Sequence, residues 1–228
     1  MTISGMVKSS LVDYPGLAAC VLFTPACNYD CFYCHNRALI EGGFPPLDKR
    51  EVIGFLKKRA GLLGGVVVSG GEPTIQPGLF EFLREVKALG YKIKLDTNGS
   101  NPDAVARALD EQLCDYFAVD YKAPAARYAE IAGAEADVKT VLETVNLLLR
   151  RGADFEVRTT VIPQLSEFDL VRMAAELPPL PRYVLNRYRK PDIFPESVRD
   201  KIEKRPYTRD KIAAFAETLR PLQPHVTV

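Results

Sequence analysis

Cys27-Asn28-Tyr29-Asp30-Cys31-Phe32-Tyr33-Cys34 sets three cysteines in C-x3-C-x2-C spacing, directly after the apolar run Ala18–Phe23. A short continuous apolar run of this kind fits a buried parallel strand, so the cysteines fall on the loop leaving its C-terminal end. Thiolates this close in sequence can converge on one soft metal site, because sulfur ligands select zinc, Cu(I) or iron–sulfur clusters. Structural zinc closes with four ligands and an electron-transfer cubane with four cysteines, whereas this loop supplies three. A four-iron cubane held by three cysteines keeps one iron without a protein ligand, and such a site does chemistry as well as carrying electrons.

Other readings compete for the same residues. Cys31-Phe32-Tyr33-Cys34-His35 also spells the C-x-x-C-H of c-type haem attachment, but that requires export and leaves Cys27 idle. A Cys3His zinc site would ask Cys34 and His35, adjacent in sequence, to reach one tetrahedral centre. A thioredoxin-like pair gives the third cysteine no role. Cys20 and Cys114 lie among apolar neighbours and read as small buried hydrophobes. Two spare cysteines cannot hold a second four-cysteine cluster, so one cluster is expected.

Working outward, strand-like and helix-like segments alternate to the end of the chain. After Ala18–Phe23 the expected strands are 65–69, 91–95, 116–119, 155–162 and 182–185. Asp48-Lys49-Arg50-Glu51 reads as a capping box opening a helix that Gly61 closes. Further helices are expected over 79–89, from 102 to 109, over 138–150, from the Ser166 cap to before Pro178, and over 208–219. Six strands alternating with helices argue for parallel βα units. Eight such units close a TIM barrel; six suggest a partial, laterally open (β/α)6 TIM-like barrel, with a flat doubly wound sheet as the alternative. The expectation is a single domain over 1–228, with a core from about 8 to 190 and a helical extension over 191–228.

The polar and glycine-rich residues cluster just past the C-terminal ends of these strands, where parallel α/β enzymes place their sites. They are the cysteine loop, Ser69-Gly70-Gly71-Glu72-Pro73, Asp96-Thr97-Asn98-Gly99, Asp120-Tyr121-Lys122, the Arg158 strand end and Asn186-Arg187-Tyr188-Arg189. Singly, each has an ordinary explanation. Gly-Gly and Glu-Pro are common turn pieces, Asn98-Gly99 suits a turn at positive φ, and Asp120 and Lys122 could form a solvated ion pair.

Together they resemble a family. The cysteine spacing with Tyr33 before the last cysteine, followed one βα unit later by Gly70-Gly71-Glu72-Pro73, is similar to radical S-adenosylmethionine (SAM) enzymes. The run Cys31-Phe32-Tyr33-Cys34-His35-Asn36-Arg37 and the element Val12-Asp13-Tyr14-Pro15-Gly16 resemble the glycyl-radical-enzyme activases within it. The resemblance covers about Lys8 to Arg189. It implies a 4Fe-4S cluster on Cys27, Cys31 and Cys34, and SAM contacts at Tyr33, Gly70, Gly71, Glu72, Pro73, Asp96, Thr97, Asn98, Asp120, Lys122 and Arg158. Lys122 would pair with the SAM carboxylate, a charge-assisted bond suited to a compact ammonium. Asp96, Thr97 and Asp120 match positions that hold a monovalent cation in the pyruvate formate-lyase activator, and hard oxygen ligands fit such an ion. Asp13 would contact the glycine loop of the partner. His35 would support the cluster without binding it, and His225 reads as surface. The sequence departs from the activator at the sixth strand, where Leu185-Asn186-Arg187-Tyr188 offers no histidine.

The activity so implied is reductive cleavage of SAM and removal of a glycine Cα hydrogen from a partner enzyme. The run Ser9–Leu17 resembles the type acting on anaerobic ribonucleoside-triphosphate reductase, with flavodoxin or ferredoxin as electron donor. A short radical SAM enzyme like 7-carboxy-7-deazaguanine synthase is the alternative, and a non-catalytic zinc or redox module is a further one. Thirty basic against 29 acidic residues gives a net charge of +1, which argues against a nucleic-acid or anionic-membrane partner. The start lacks a basic then apolar leader and no apolar run reaches a membrane span, so a cytoplasmic location is expected.

Overall fold

The strands are β1 (Gly5–Tyr14), β2 (Leu17–Thr24), β3 (Gly65–Gly70), β4 (Lys92–Thr97), β5 (Tyr116–Asp120), β6 (Phe155–Val161), β7 (Tyr183–Arg187) and β8 (Val226–Thr227). The helices are α1 (Arg37–Ile40), α2 (Lys49–Arg59), α3 (Leu79–Ala88), α4 (Pro102–Asp110), α5 (Tyr128–Ala132), α6 (Val138–Arg150), α7 (Glu167–Glu176), α8 (Arg199–Ile202) and α9 (Arg209–Leu219). They come from a computed structural model that describes residues 1–228. The strands follow sequence order, β1-β2-β3-β4-β5-β6-β7-β8, in an open sheet. The six expected strands are β2 to β7, and the count is corrected to eight by one strand at each edge. By packing, the chain divides into two compact units. One comprises Met1–Asn28, Ala38–Thr97 and Asn101–Ala118, the other Tyr29–Arg37, Asn98–Ser100 and Val119–Val228.

In the first unit β1 and β2 form an antiparallel hairpin joined at Pro15-Gly16, where Gly16 takes φ +76°. Proline presets the first turn residue and glycine the second, as a tight turn with positive φ requires. Register shifts between Val7 and Ser10 and between Ser10 and Tyr14 break the alternation of β1, which hides the strand in the sequence. β2 then pairs parallel with β3, Cys20 opposite Val66 and Thr24 opposite Gly70, and β3 pairs parallel with β4, Val68 opposite Leu95. Ala19 to Leu22 and Val66 to Val68 are buried, as strands covered on both faces must be. Tyr14, Ala19, Val21 and Val67 make one core cluster, against which Leu17, Phe23 and Tyr116 pack. Each such side chain contributes about 1.5–3 kcal/mol when fully buried. Asp48 caps α2 by accepting from the Arg50 N–H at 2.7 Å, and Val52, Ile53 and Leu56 face inward.

In the second unit β6 pairs parallel with β7, Thr159 opposite Leu185, and β7 with β8, Tyr183 opposite Val226. Asp137 caps α6, which buries Val141, Val145 and Leu148; the full capping box forms on α7, where Ser166, the expected cap, pairs with Asp169, whereas on α2 the expected box is reduced to the Asp48 cap. Gln223 is buried. Its amide donates to the carbonyls of Ala174, Leu177 and Pro178 and its oxygen accepts from Leu180 N–H, tying the C-terminal segment to the end of α7. No helix is long and apolar enough to cross a membrane.

Candidate active site

In the first unit, parallel register sets the strand-end candidates. With Thr24 opposite Gly70, β2 and β3 end level, so the lead into the cysteines runs beside the Gly70-Gly71-Glu72 turn. Gly71 N–H donates to Thr24 O at 2.8 Å, Glu72 N–H to Ala26 O at 2.9 Å, and Gln76 Nε2 to Pro25 O at 2.6 Å. A Cβ on Gly71 would lie 1.7 Å from Ala26 O, and one on Gly70, at φ +123°, 2.2 Å from Thr24 N. Two glycines are therefore required by the chain's own backbone, which presses against the segment delivering Cys27. Ala26 holds φ +57°, a left-handed conformation costly for a residue with a Cβ, and it redirects the chain immediately before Cys27.

Glu72 is fully buried. Its Oε1 accepts from Thr74 N–H at 3.0 Å, Thr74 Oγ1 at 2.6 Å and Thr97 Oγ1 at 2.7 Å. It caps the turn Pro73–Ile75 and joins the end of β3 to that of β4. Two residues before Asp96, on the same face of β4, Lys94 donates from Nζ to Asp96 Oδ1 at 2.6 Å, and both side chains are buried. Lys94 was not among the sequence candidates. A lysine on an otherwise apolar strand two residues from an aspartate is the signal that would have found it, since an enclosed charge needs a partner.

The second unit carries its own candidate residues. Asp30 N–H donates to Ala132 O at 3.0 Å and Cys34 N–H to Cys31 O at 3.1 Å, so the loop winds in a turn against the end of α5. Arg37, buried although charged, donates to Asp30 Oδ1 at 2.5 Å and to Cys31 O at 2.9 Å, pinning the loop from its far side. Tyr33 is buried, edge-on to Phe32 and Tyr188. Tyr188 follows directly on the end of β7. It is 2% exposed, its hydroxyl has no protein partner, and its ring tilts against that of His35.

Asp120, at the end of β5, is the electrostatic centre of this unit's candidates. Lys122 Nζ reaches its Oδ2 at 3.2 Å and Arg158 Nε its Oδ1 at 3.0 Å. Burial would raise the carboxyl, but the two cations outweigh it and hold Asp120 down at about 2. Burial likewise opposes the Lys122 charge, and Asp120 outweighs it, so Lys122 stays well above the ordinary lysine range. The Cys34 thiol is raised by burial, against the pull of the Asn36 backbone hydrogen bond and the charges of Lys122 and Arg37. Asn98 Oδ1 accepts from Ser100 N–H at 2.9 Å, and Gly99 takes φ +76°, the turn its sequence suggested. Asp13 lies on exposed β1, where Ser10 Oγ donates to its carboxylate.

Cys27, Cys31 and Cys34 are all free thiols, two of them partly exposed, and the structure gathers no group of three or more cysteine, histidine or carboxylate side chains close enough to hold a metal ion. The Asp120, Lys122 and Arg158 set carries an excess of one positive charge, which favours a carboxylate ligand.

The radical SAM superfamily model matches residues 21–177. A Methanocaldococcus jannaschii protein provisionally named a glycyl-radical enzyme activating enzyme is 30% identical over 203 residues, covering 85% of this chain and 82% of its own. The 7-carboxy-7-deazaguanine synthase of Neisseria meningitidis is 37% identical over 87 residues, which are 38% of this chain and 39% of that protein. Among solved structures, a domain of pyruvate-formate lyase-activating enzyme from Bacteroides vulgatus superposes with TM-score 0.54 at 18% identity, over 72% of this chain and 98% of that one. Streptococcus suis SuiB bound to S-adenosylmethionine superposes with TM-score 0.64 at 14% identity, over 87% of this chain and 48% of that one. These likenesses give the fold, an open, mostly parallel α/β sheet of the partial-barrel kind.

Proposed function

The chain belongs to the radical SAM superfamily and is an enzyme of it, and we propose that it activates a glycyl radical enzyme, with anaerobic ribonucleoside-triphosphate reductase as the partner. The observation that carries the reading lies in the second unit: Lys122 and Arg158 both reach Asp120 at the end of β5, a set with one positive charge in excess, in the unit that also holds Cys31 and Cys34. The match to the M. jannaschii relative, over 85% of this chain and 82% of its own, supports the activase over a deazaguanine synthase, whose likeness covers well under half of either chain.

In this reading Cys27, Cys31 and Cys34 hold a 4Fe-4S cluster, which supplies the single electron that splits SAM into methionine and a 5′-deoxyadenosyl radical. Lys122 and Arg158 bind the SAM carboxylate, held in place by Asp120. The backbone of Gly70 to Glu72 receives the SAM amino group, and Tyr33, Pro73, Asp96, Thr97 and Asn98 line the remaining surface. Asp13 meets the glycine loop of the partner, whose Cα–H must come within about 3–4 Å of the 5′-carbon for hydrogen transfer. Flavodoxin or ferredoxin supplies the electron, in the cytoplasm. The family model spans residues of both units, which supports taking the chain as one catalytic domain.

The test is anaerobic. The cluster is reconstituted and reduced, SAM and the reductase are added, and the electron paramagnetic resonance spectrum is recorded beside a 5′-deoxyadenosine assay. A glycine-centred doublet with deoxyadenosine is the expected result. Deoxyadenosine without the doublet rejects this partner, and loss of both with the cluster present rejects the catalytic reading.

A further inference from the structure

The Lys94–Asp96 pair has a consequence for how the site meets its ligand. The resemblance assigns Asp96, Thr97 and Asp120 to a monovalent cation, and in this chain each of these oxygen donors already has a protein partner. Asp96 Oδ1 accepts from Lys94 Nζ at 2.6 Å. Thr97 Oγ1 donates to Glu72 Oε1 at 2.7 Å, which directs its proton toward the buried carboxylate. In the second unit Asp120 is bridged by Lys122 and Arg158.

Lys94 belongs to β4 itself. Its side chain is 2% exposed, and it projects from the same strand face as Asp96, so the ammonium is delivered to the carboxylate by the pleat. Burying the charge alone would be expensive; beside Asp96 each group compensates the other. An ammonium at hydrogen-bond distance supplies what a bound sodium or potassium ion would supply, one positive charge on the carboxylate, without an exchangeable ligand.

We propose that Lys94 is a built-in replacement for the monovalent cation, so that SAM binding by this enzyme is independent of sodium and potassium. The inference rests on the SAM-binding reading above. Lys94 is a positioning residue: it acts on the ligand through Asp96.

The experiment measures equilibrium SAM binding to the anaerobically reconstituted holoenzyme by calorimetry. Sodium and potassium are replaced by tetramethylammonium, too large to enter an oxygen cage, at constant ionic strength. The wild-type dissociation constant is expected to change less than about twofold. In Lys94→Met the loss of one charged hydrogen bond weakens binding by about 10- to 100-fold without small cations, and potassium or sodium restores it as the ion takes the vacated place. The double variant Lys94→Met/Asp96→Asn carries neither charge and guards against misfolding of the single variant; its residual binding is expected to ignore the cation. Wild-type binding that requires sodium or potassium overturns the proposal, as does a Lys94→Met enzyme with unaltered, cation-indifferent affinity. Absence of SAM binding by the wild type with potassium present would instead overturn the SAM-binding reading.

Discussion

Replacing Gly71 by alanine tests the reasoning about the glycine pair most severely. The added Cβ would stand 1.7 Å from Ala26 O and 2.5 Å from Ala26 C, both backbone atoms with no rotamer to escape into. A carbon and a carbonyl oxygen settle at about 3.3 Å, so the two segments must separate by about 1.6 Å. Such a shift breaks the bonds from Gly71 N–H to Thr24 O and Glu72 N–H to Ala26 O, at about 1 kcal/mol each. Overpacking adds about 1–3 kcal/mol, for a loss of about 3–5 kcal/mol in all. For a chain of this length that lowers the melting temperature by roughly 6–20 °C. Cys27 moves with Ala26, so iron content after reconstitution should fall below half of wild type. Gly54→Ala is the control: it lies within α2, with open space where the Cβ would go, and should raise the melting temperature by about 2 °C through helix propensity. A Gly71→Ala protein that melts within about 2 °C of wild type and binds full iron would refute the account.

Asp120→Asn should change the acid response. The Asp120 carboxyl is held near 2, below its ordinary range, so its stabilising contribution is complete above about pH 4 and is lost as pH falls through about 2. The gap between wild-type and variant urea midpoints should therefore narrow from pH 5 toward pH 2; a constant gap would rule out Asp120 as its source. Cysteine substitutions should separate by position. Cys31→Ala abolishes iron binding and SAM cleavage, whereas Cys20→Ala, which alters a fully buried β2 thiol that burial pushes up to about 12, keeps both. Cleavage surviving in Cys31→Ala would sink the cluster assignment.

The parallel core was legible because its signals are local: apolar runs mark β2 and β3, and Asp48, Asp137 and Ser166 announce helices with side chains that reach their own backbone. The edge strands were not. β1 has its alternation broken twice by register shifts, and β8 spans only Val226–Thr227, too short for any periodicity. In the site, sequence picked out the strand-end residues but not their internal obligations. Glu72 and the two glycines read as ligand contacts, whereas Glu72 also caps a turn and the glycines admit the chain's own backbone. Arg37 was read only as part of its motif and Lys94 not at all, because a cation's role depends on what faces it, and Asp30, the Cys31 carbonyl and Asp96 become their partners only through the folded geometry.

The internal obligations narrow how the site can bind. Glu72 Oε1 already accepts three hydrogen bonds, so its carboxylate chiefly fixes the turn, and a ligand's amino group is better met by the backbone carbonyls that the turn presents. Asp96 and Asp120 are each compensated by a lysine, which leaves Arg158 as the surplus positive charge of the second unit's set. A ligand bearing a carboxylate would gain from that surplus charge. A neutral heterocycle would gain nothing from the surplus charge. Substituting Arg158 by glutamine should consequently weaken SAM far more than 5′-deoxyadenosine, which lacks the amino-acid end, because the arginine answers the carboxylate and not the adenine.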